Sequence, residues 1–149
     1  MKFRFPFQNV LTYRKTIEDL AQRDFQEALA DMNQQIALLN EMKEGIVLAR
    51  DNAFQKQVDG GNAAPALGQV HEFLVGQDIR IGRQQAKIQE CEKRVEELRE
   101  ILRAKAIDYK IIEGLKDRRR AEFLKEQSKL EQKRSDDLTM MRYKRVGKE

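Results

Sequence analysis

One histidine, His71, and one cysteine, Cys91, are the entire stock of imidazole and thiol in this chain of 149 residues. A metal centre needs several converging ligands, and a nucleophile needs a second group to take its proton. Single copies supply neither. His71 reads as a solvent-facing residue, and Cys91, spaced with Val95 and Leu98, as a small member of an apolar seam. Gly60-Gly61 lacks the Lys-Ser/Thr of a phosphate loop and follows no strand, so it reads as a turn. The sequence therefore predicts a non-enzyme, with no catalytic residue, cofactor or metal ligand.

The remaining chemistry is charge and apolar contact. Lys116-Asp117-Arg118-Arg119-Arg120 has the residue types that grip phosphates. On a helix these charges spread around the axis with acids among them, and no aromatic platform alternates with them. An acidic protein partner or a solvated face fits better than nucleic acid. The net charge of +4 conceals a polarity: residues 1–15 carry four bases and no acid, and residues 116–149 carry twelve bases against seven acids. The 100 residues between sum to −5. An antiparallel hairpin would bring both basic segments to one end, a polarity suited to oriented docking. Phe3-Arg4-Phe5-Pro6-Phe7 would staple the helix entry or stay out as an exposed hook, with a membrane-surface anchor as the weaker reading. Met32, Met42 and Met140-Met141 suit adaptable apolar contacts, with a place in the seam as the default.

The elements that must hold these residues are long helices. Charged residues make up 36% of the chain, there are two prolines and no tryptophan, and Ala, Glu, Lys, Leu, Arg and Gln dominate, a coiled-coil composition. No apolar run approaches the roughly 18 residues of a membrane span. The opening residues are too short and interrupted for a signal peptide, and a lone cysteine fits a reducing cytoplasm. In arm one, about residues 6–58, the apolar positions run Val10, Ile17, Ala21, Phe25, Ala28, Met32, Ile36, Leu39, Met42, Ile46, Ala49 and Ala53, with Arg14 in line. The steps from Ala21 to Phe25 and from Met32 to Ile36 read as stutters in the heptads. A turn at about 59–65 follows, with Gly60 and Gly61 for positive φ, Asn62 as a cap and Pro65 in the next first turn. Arm two, about 66–146, continues through Val70, Leu74, Ile81, Ile88, Cys91, Val95, Leu98, Leu102, Tyr109, Ile112 and Leu115. Acid–base pairs at i,i+3, such as Glu96/Arg99 and Glu122/Lys125, support its exposed face. The fold class is all-α, an antiparallel two-helix coiled-coil hairpin with unequal arms. Partners across it should have residue numbers adding to roughly 124, the turn being centred near residue 62. Arm two then overhangs beyond about Arg119, leaving Phe123, Leu130, Leu138 and Met141 without an intramolecular mate.

The opening Phe3-Arg4-Phe5-Pro6-Phe7-Gln8-Asn9-Val10-Leu11-Thr12-Tyr13-Arg14-Lys15, followed by Glu18, resembles the start of the flagellar export family FliJ. Residues Tyr109 to Arg120 resemble its distal stretch, as do Glu126 to Lys133 with Asp136-Asp137 after them. The similarity spans nearly the whole chain in arm order and turn position. It implies a coiled coil similar to the central stalk of rotary ATPases, working at the cytoplasmic face of the flagellar type III export apparatus, peripheral to the membrane and not inserted in it. Implied partners are the hexameric export ATPase, the cytoplasmic domain of the export gate protein and export chaperones of late substrates. No nucleic acid is expected. The resemblance implies an ATPase-facing set of Arg14, Lys116, Arg118, Arg119, Arg120, Glu126 and Gln127. It implies a gate-facing set of Leu39, Met42, Ile46 and Phe73, near the turn. A stalk of a virulence secretion system and a generic coiled-coil scaffold or nucleic-acid-binding arm are the alternative readings.

Overall fold

The computed structural model describes residues 1–60 and 64–147, so Gly61 and Asn62, expected at the turn, lie outside the described residues. Two α-helices account for the elements: α1, Gln8–Val58, and α2, Ala64–Val146. They form an all-α helical hairpin with arms of 51 and 83 residues. Pro6 and Phe7 sit in a turn ahead of α1, where Gln8 N–H donates to Phe5 O at 3.2 Å and Leu11 N–H to Phe7 O at 3.0 Å. A proline there costs no helical hydrogen bond. At the far end Gly60 takes φ +75° and donates to Gln57 O at 3.3 Å, the left-handed closure that terminates helices.

The chain divides into two compact units. Unit 1 comprises Met1–Glu18 and Ala104–Glu149, and unit 2 comprises Asp19–Arg103. Within each, the α1 and α2 segments run antiparallel. Cross-helix partners in unit 1 (Arg14/Asp108, Lys15/Tyr109, Gln8/Lys116) have residue numbers adding to between 122 and 124. In unit 2, Phe25/Arg99 adds to 124, and Gln35/Gln84 and Met42/Gln77 to 119. The long glutamine side chains reach about one helical turn along the partner, which accounts for the lower figure.

Buried and half-buried positions follow steps of three and four from Leu11 to Ala53 on α1 and from Val70 to Lys116 on α2. This is the spacing that keeps one stripe facing a partner helix. Leu11, Ala21, Ala53, Ile88, Val95 and Leu98 are buried. Two expectations change. Val10 is exposed and Leu11 takes the first seam place, because the heptad counted back from Ala21 and Glu18 lands on residue 11. The stutters at Ala21–Phe25 and Met32–Ile36 are absent: Phe25 follows Ala21 at an ordinary four-residue step of the frame, and Gln35 fills the heptad place after Met32, with Ile36 flanking it half-buried. A polar seam residue is invisible to an inventory of apolar ones.

Candidate protein-docking site

The basic surface belongs to unit 1, which holds 18 Lys/Arg against 10 Asp/Glu, whereas unit 2 holds 11 against 15. Residues 1–7 are not a free hook. Phe5 is buried and meets Phe7 edge-on at 5.8 Å between centroids. The Phe3 ring packs on Phe123 at 5.6 Å, and the Arg119 guanidinium lies 5.3 Å from the centre of the Phe7 ring. Aromatic burial and cation–π attraction thus fasten the opening segment along α2. Phe123, expected to lack a mate, has one, since the chain ahead of α1 continues the covered stripe past the helix start.

This fastening builds an open depression of about 660 Å³ lined by Lys2, Phe3, Arg4, Phe5, Gln8, Lys116 and Arg120. Four cations and no carboxylate line it. Lys116 Nζ donates to Gln8 Oε1 at 2.8 Å, which orients the ammonium while leaving its charge uncompensated there. Arg14 sits half-buried one layer away, donating from its guanidinium to Asp108 O at 2.8 Å. Beside it Lys15 Nζ lies 5.1 Å from the centre of the Tyr109 ring. The Tyr109 hydroxyl is held above its usual ionisation range, chiefly by its hydrogen bond to Glu113, with desolvation and the Glu113 and Glu18 charges adding and Lys15 opposing.

Of the ATPase-facing residues expected, Lys116 and Arg120 line the depression and Arg119 flanks it. Arg14 is committed to the helix seam, and Arg118 and Glu126 are exposed. Gln127 is half-buried at the end of the covered stripe, and from Ser128 to Gly147 every residue is exposed. Lys2, Arg4, Phe3 and Phe5 were absent from the expected set. Their signal was the acid-free opening segment, which antiparallel pairing brings against residues 116–123.

In unit 2, Leu39, Met42 and Ile46 are half-buried on the α1 stripe that packs on α2. Phe73 is exposed and borders a small groove with Ala49, Asn52, Ala53, Lys56, Gln69 and Val70. Apolar side chains that do present most of their surface on these segments include Leu48 at 63% and Phe54 at 61%. No set of three or more metal-ligating His, Cys, Asp or Glu occurs among the described residues. None of their helices is long and apolar enough to cross a membrane.

Comparison with protein-family models matches residues 2–148 to the family described as Flagellar FliJ protein. The chain belongs to the FliJ family. It is accordingly a component of flagellar type III protein export. The match spans the opening aromatic segment, both helices and the exposed end of α2. No curated protein and no solved structure matches the chain.

Proposed function

We propose that this FliJ-family protein is a non-enzymatic, stalk-like link between the export ATPase ring and the export gate, and that it also escorts the chaperones of late substrates. The observation that carries the reading is family membership over residues 2–148. The acid-free depression of unit 1 is its seat for the ATPase, with Lys2, Arg4, Lys116, Arg119 and Arg120 facing acidic groups of the ring and Arg118 assisting. Glu126 and Gln127 extend the contact along α2, and Arg14 holds the two helices in place behind it. Complementary charge gives such docking its orientation and its speed more than its strength. Towards the reversal, Phe73 with Leu48 and Phe54 offers apolar surface for the gate, while Leu39, Met42 and Ile46 support it from the seam. The likeness to a rotary-ATPase stalk and a place at the inner face of the cell membrane belong to the same proposal.

The test is ATP turnover by the cognate export ATPase with added full-length chain. The chain raises turnover, and replacing Arg118, Arg119 and Arg120 together by Gln weakens the effect, more so at low salt where charge is least screened. Equal stimulation by both proteins at every ionic strength contradicts the assigned seat.

A further inference from the structure

Within unit 1, the last stretch of α2 carries an open stripe of its own. Leu130 shows 53% of its surface, Leu138 59% and Met141 65%. Counted on from Phe123 in steps of three and four, the stripe that packs further back on α1 and on the opening segment runs through Gln127, Leu130, Arg134, Asp137 with Leu138 beside it, and Met141. A helix draws most of its stability from packing such a face. Leu138, Met141, Arg142 and Arg145 stand at i, i+3, i+4 and i+7 and, with Lys144, line an open depression of about 540 Å³. Four residues at that spacing form the hole that receives one knob from a facing helix.

A second copy of the stripe supplies the knob. With its Leu130 set antiparallel in this hole, facing residues have numbers adding to about 271. Leu130 then faces Met141 in two symmetric layers, and Arg134 faces Asp137 twice at the centre, with Leu138 alongside. Length agrees independently. The part of α2 past the Phe3–Phe123 contact runs from residue 124 to Val146, and full mutual overlap of that part needs numbers adding to 270. Other alignments lose the match. A slide of one heptad one way sets Leu130 against Arg134 and drives Met141 onto Phe123, which Phe3 already covers. The opposite slide sets Arg134 against Lys144. Parallel in-register pairing stacks Arg134 on Arg134 and Asp137 on Asp137, and like charges held opposite steer helix pairs away from such arrangements. We propose that residues 124–146 pair antiparallel with the same residues of a second copy, closing the stripe that the hairpin leaves open. Lys2, Arg4, Lys116 and Arg120 lie outside the paired stretch, so this pairing and the ATPase seat stand or fall separately.

The test is sedimentation velocity on the full-length chain over a concentration series reaching about 1 mM, where a monomer–dimer equilibrium is expected. Arg134→Asp alone and Asp137→Arg alone, both at exposed positions, are each expected to weaken the dimer by about tenfold or more, because each sets like charges opposite. The double swap Arg134→Asp/Asp137→Arg restores opposite charges and is expected to return the affinity to within about threefold of the parent. One spin label per chain in a Cys91→Ala background reads the orientation. Ser135→Cys lies next to the twofold axis and gives a short distance, whereas two copies of Lys125→Cys are offset by about 30 Å along the helices. Parallel pairing gives the same short distance at both positions. A chain monomeric throughout the series, a dimer indifferent to the single swaps, or equal distances at the two labels overturns the proposal.

Discussion

Phe5→Ala asks whether residues 1–7 are an integral part of unit 1 or a loose leader. Phe5 retains 8% of its surface, touches Phe7 edge-on and borders the depression shared with Lys116 and Arg120. A buried aromatic residue removes roughly 150–250 Å² from water. At about 25 cal/mol per Å² this corresponds to ~4–6 kcal/mol. The unfolded chain already hides part of that surface, and Ala keeps the Cβ contacts, so the expected loss is about 2–3 kcal/mol. In a long helix pair such a loss appears as local opening rather than global unfolding. Amide hydrogen exchange reads it directly. Exchange between Ile112 and Phe123 should quicken by about 30- to 150-fold, at tenfold per 1.4 kcal/mol. Amides between Gln84 and Val95, in unit 2, should be unaffected. Acceleration of less than about threefold in the 112–123 segment refutes the packing argument and returns the opening phenylalanines to the status of a hook.

Two smaller perturbations probe unit 1 and the end of α1. The Tyr109 phenol should ionise above its ordinary value near 10, read as the alkaline ultraviolet difference between the parent and Tyr109→Phe, and Glu113→Ala should bring it back towards 10. Because the folded-state value is raised, its contribution to stability is present below the unfolded value and is lost as pH rises through the folded one. A titration midpoint unmoved by Glu113→Ala contradicts the assigned cause. Gly60→Ala places a Cβ on backbone at φ +75° and should cost about 1 kcal/mol in denaturant unfolding, whereas an unchanged midpoint means that the helix end relaxes.

The helices were legible because their signal is periodic: Phe25, Leu39, Val95 and Leu98 recur on a seven-residue frame that only a packed helix stripe requires. The pairing register is legible too, since a single reversal near residue 62 predicts partner numbers adding to about 124, as those of Phe25/Arg99 and Gln8/Lys116 do. Gln35, half-buried, and Gln77 and Gln84, buried, are not legible in the sequence, because burial of an amide depends on what lies across the seam, which hydropathy along the chain does not encode. The opening segment was half legible. Its charges are plain in the sequence, but the reach of Phe3 to Phe123 depends on the chain continuing in line ahead of α1, which helix periodicity does not encode. Conversely, Leu39, Met42 and Ile46 look alike as seam residues and as docking residues, and apolar character alone does not separate the two. Exposure does, and it favours Phe73, Leu48 and Phe54 as outward contacts.

ATP turnover by the export ATPase, titrated with full-length chain at low and at physiological ionic strength, tests the central claim most directly. The claim predicts stimulation by the parent, with Arg118→Gln/Arg119→Gln/Arg120→Gln needing several-fold more protein to reach half-effect at low salt and the gap narrowing as salt rises. Absence of stimulation by the parent at either ionic strength contradicts the claim.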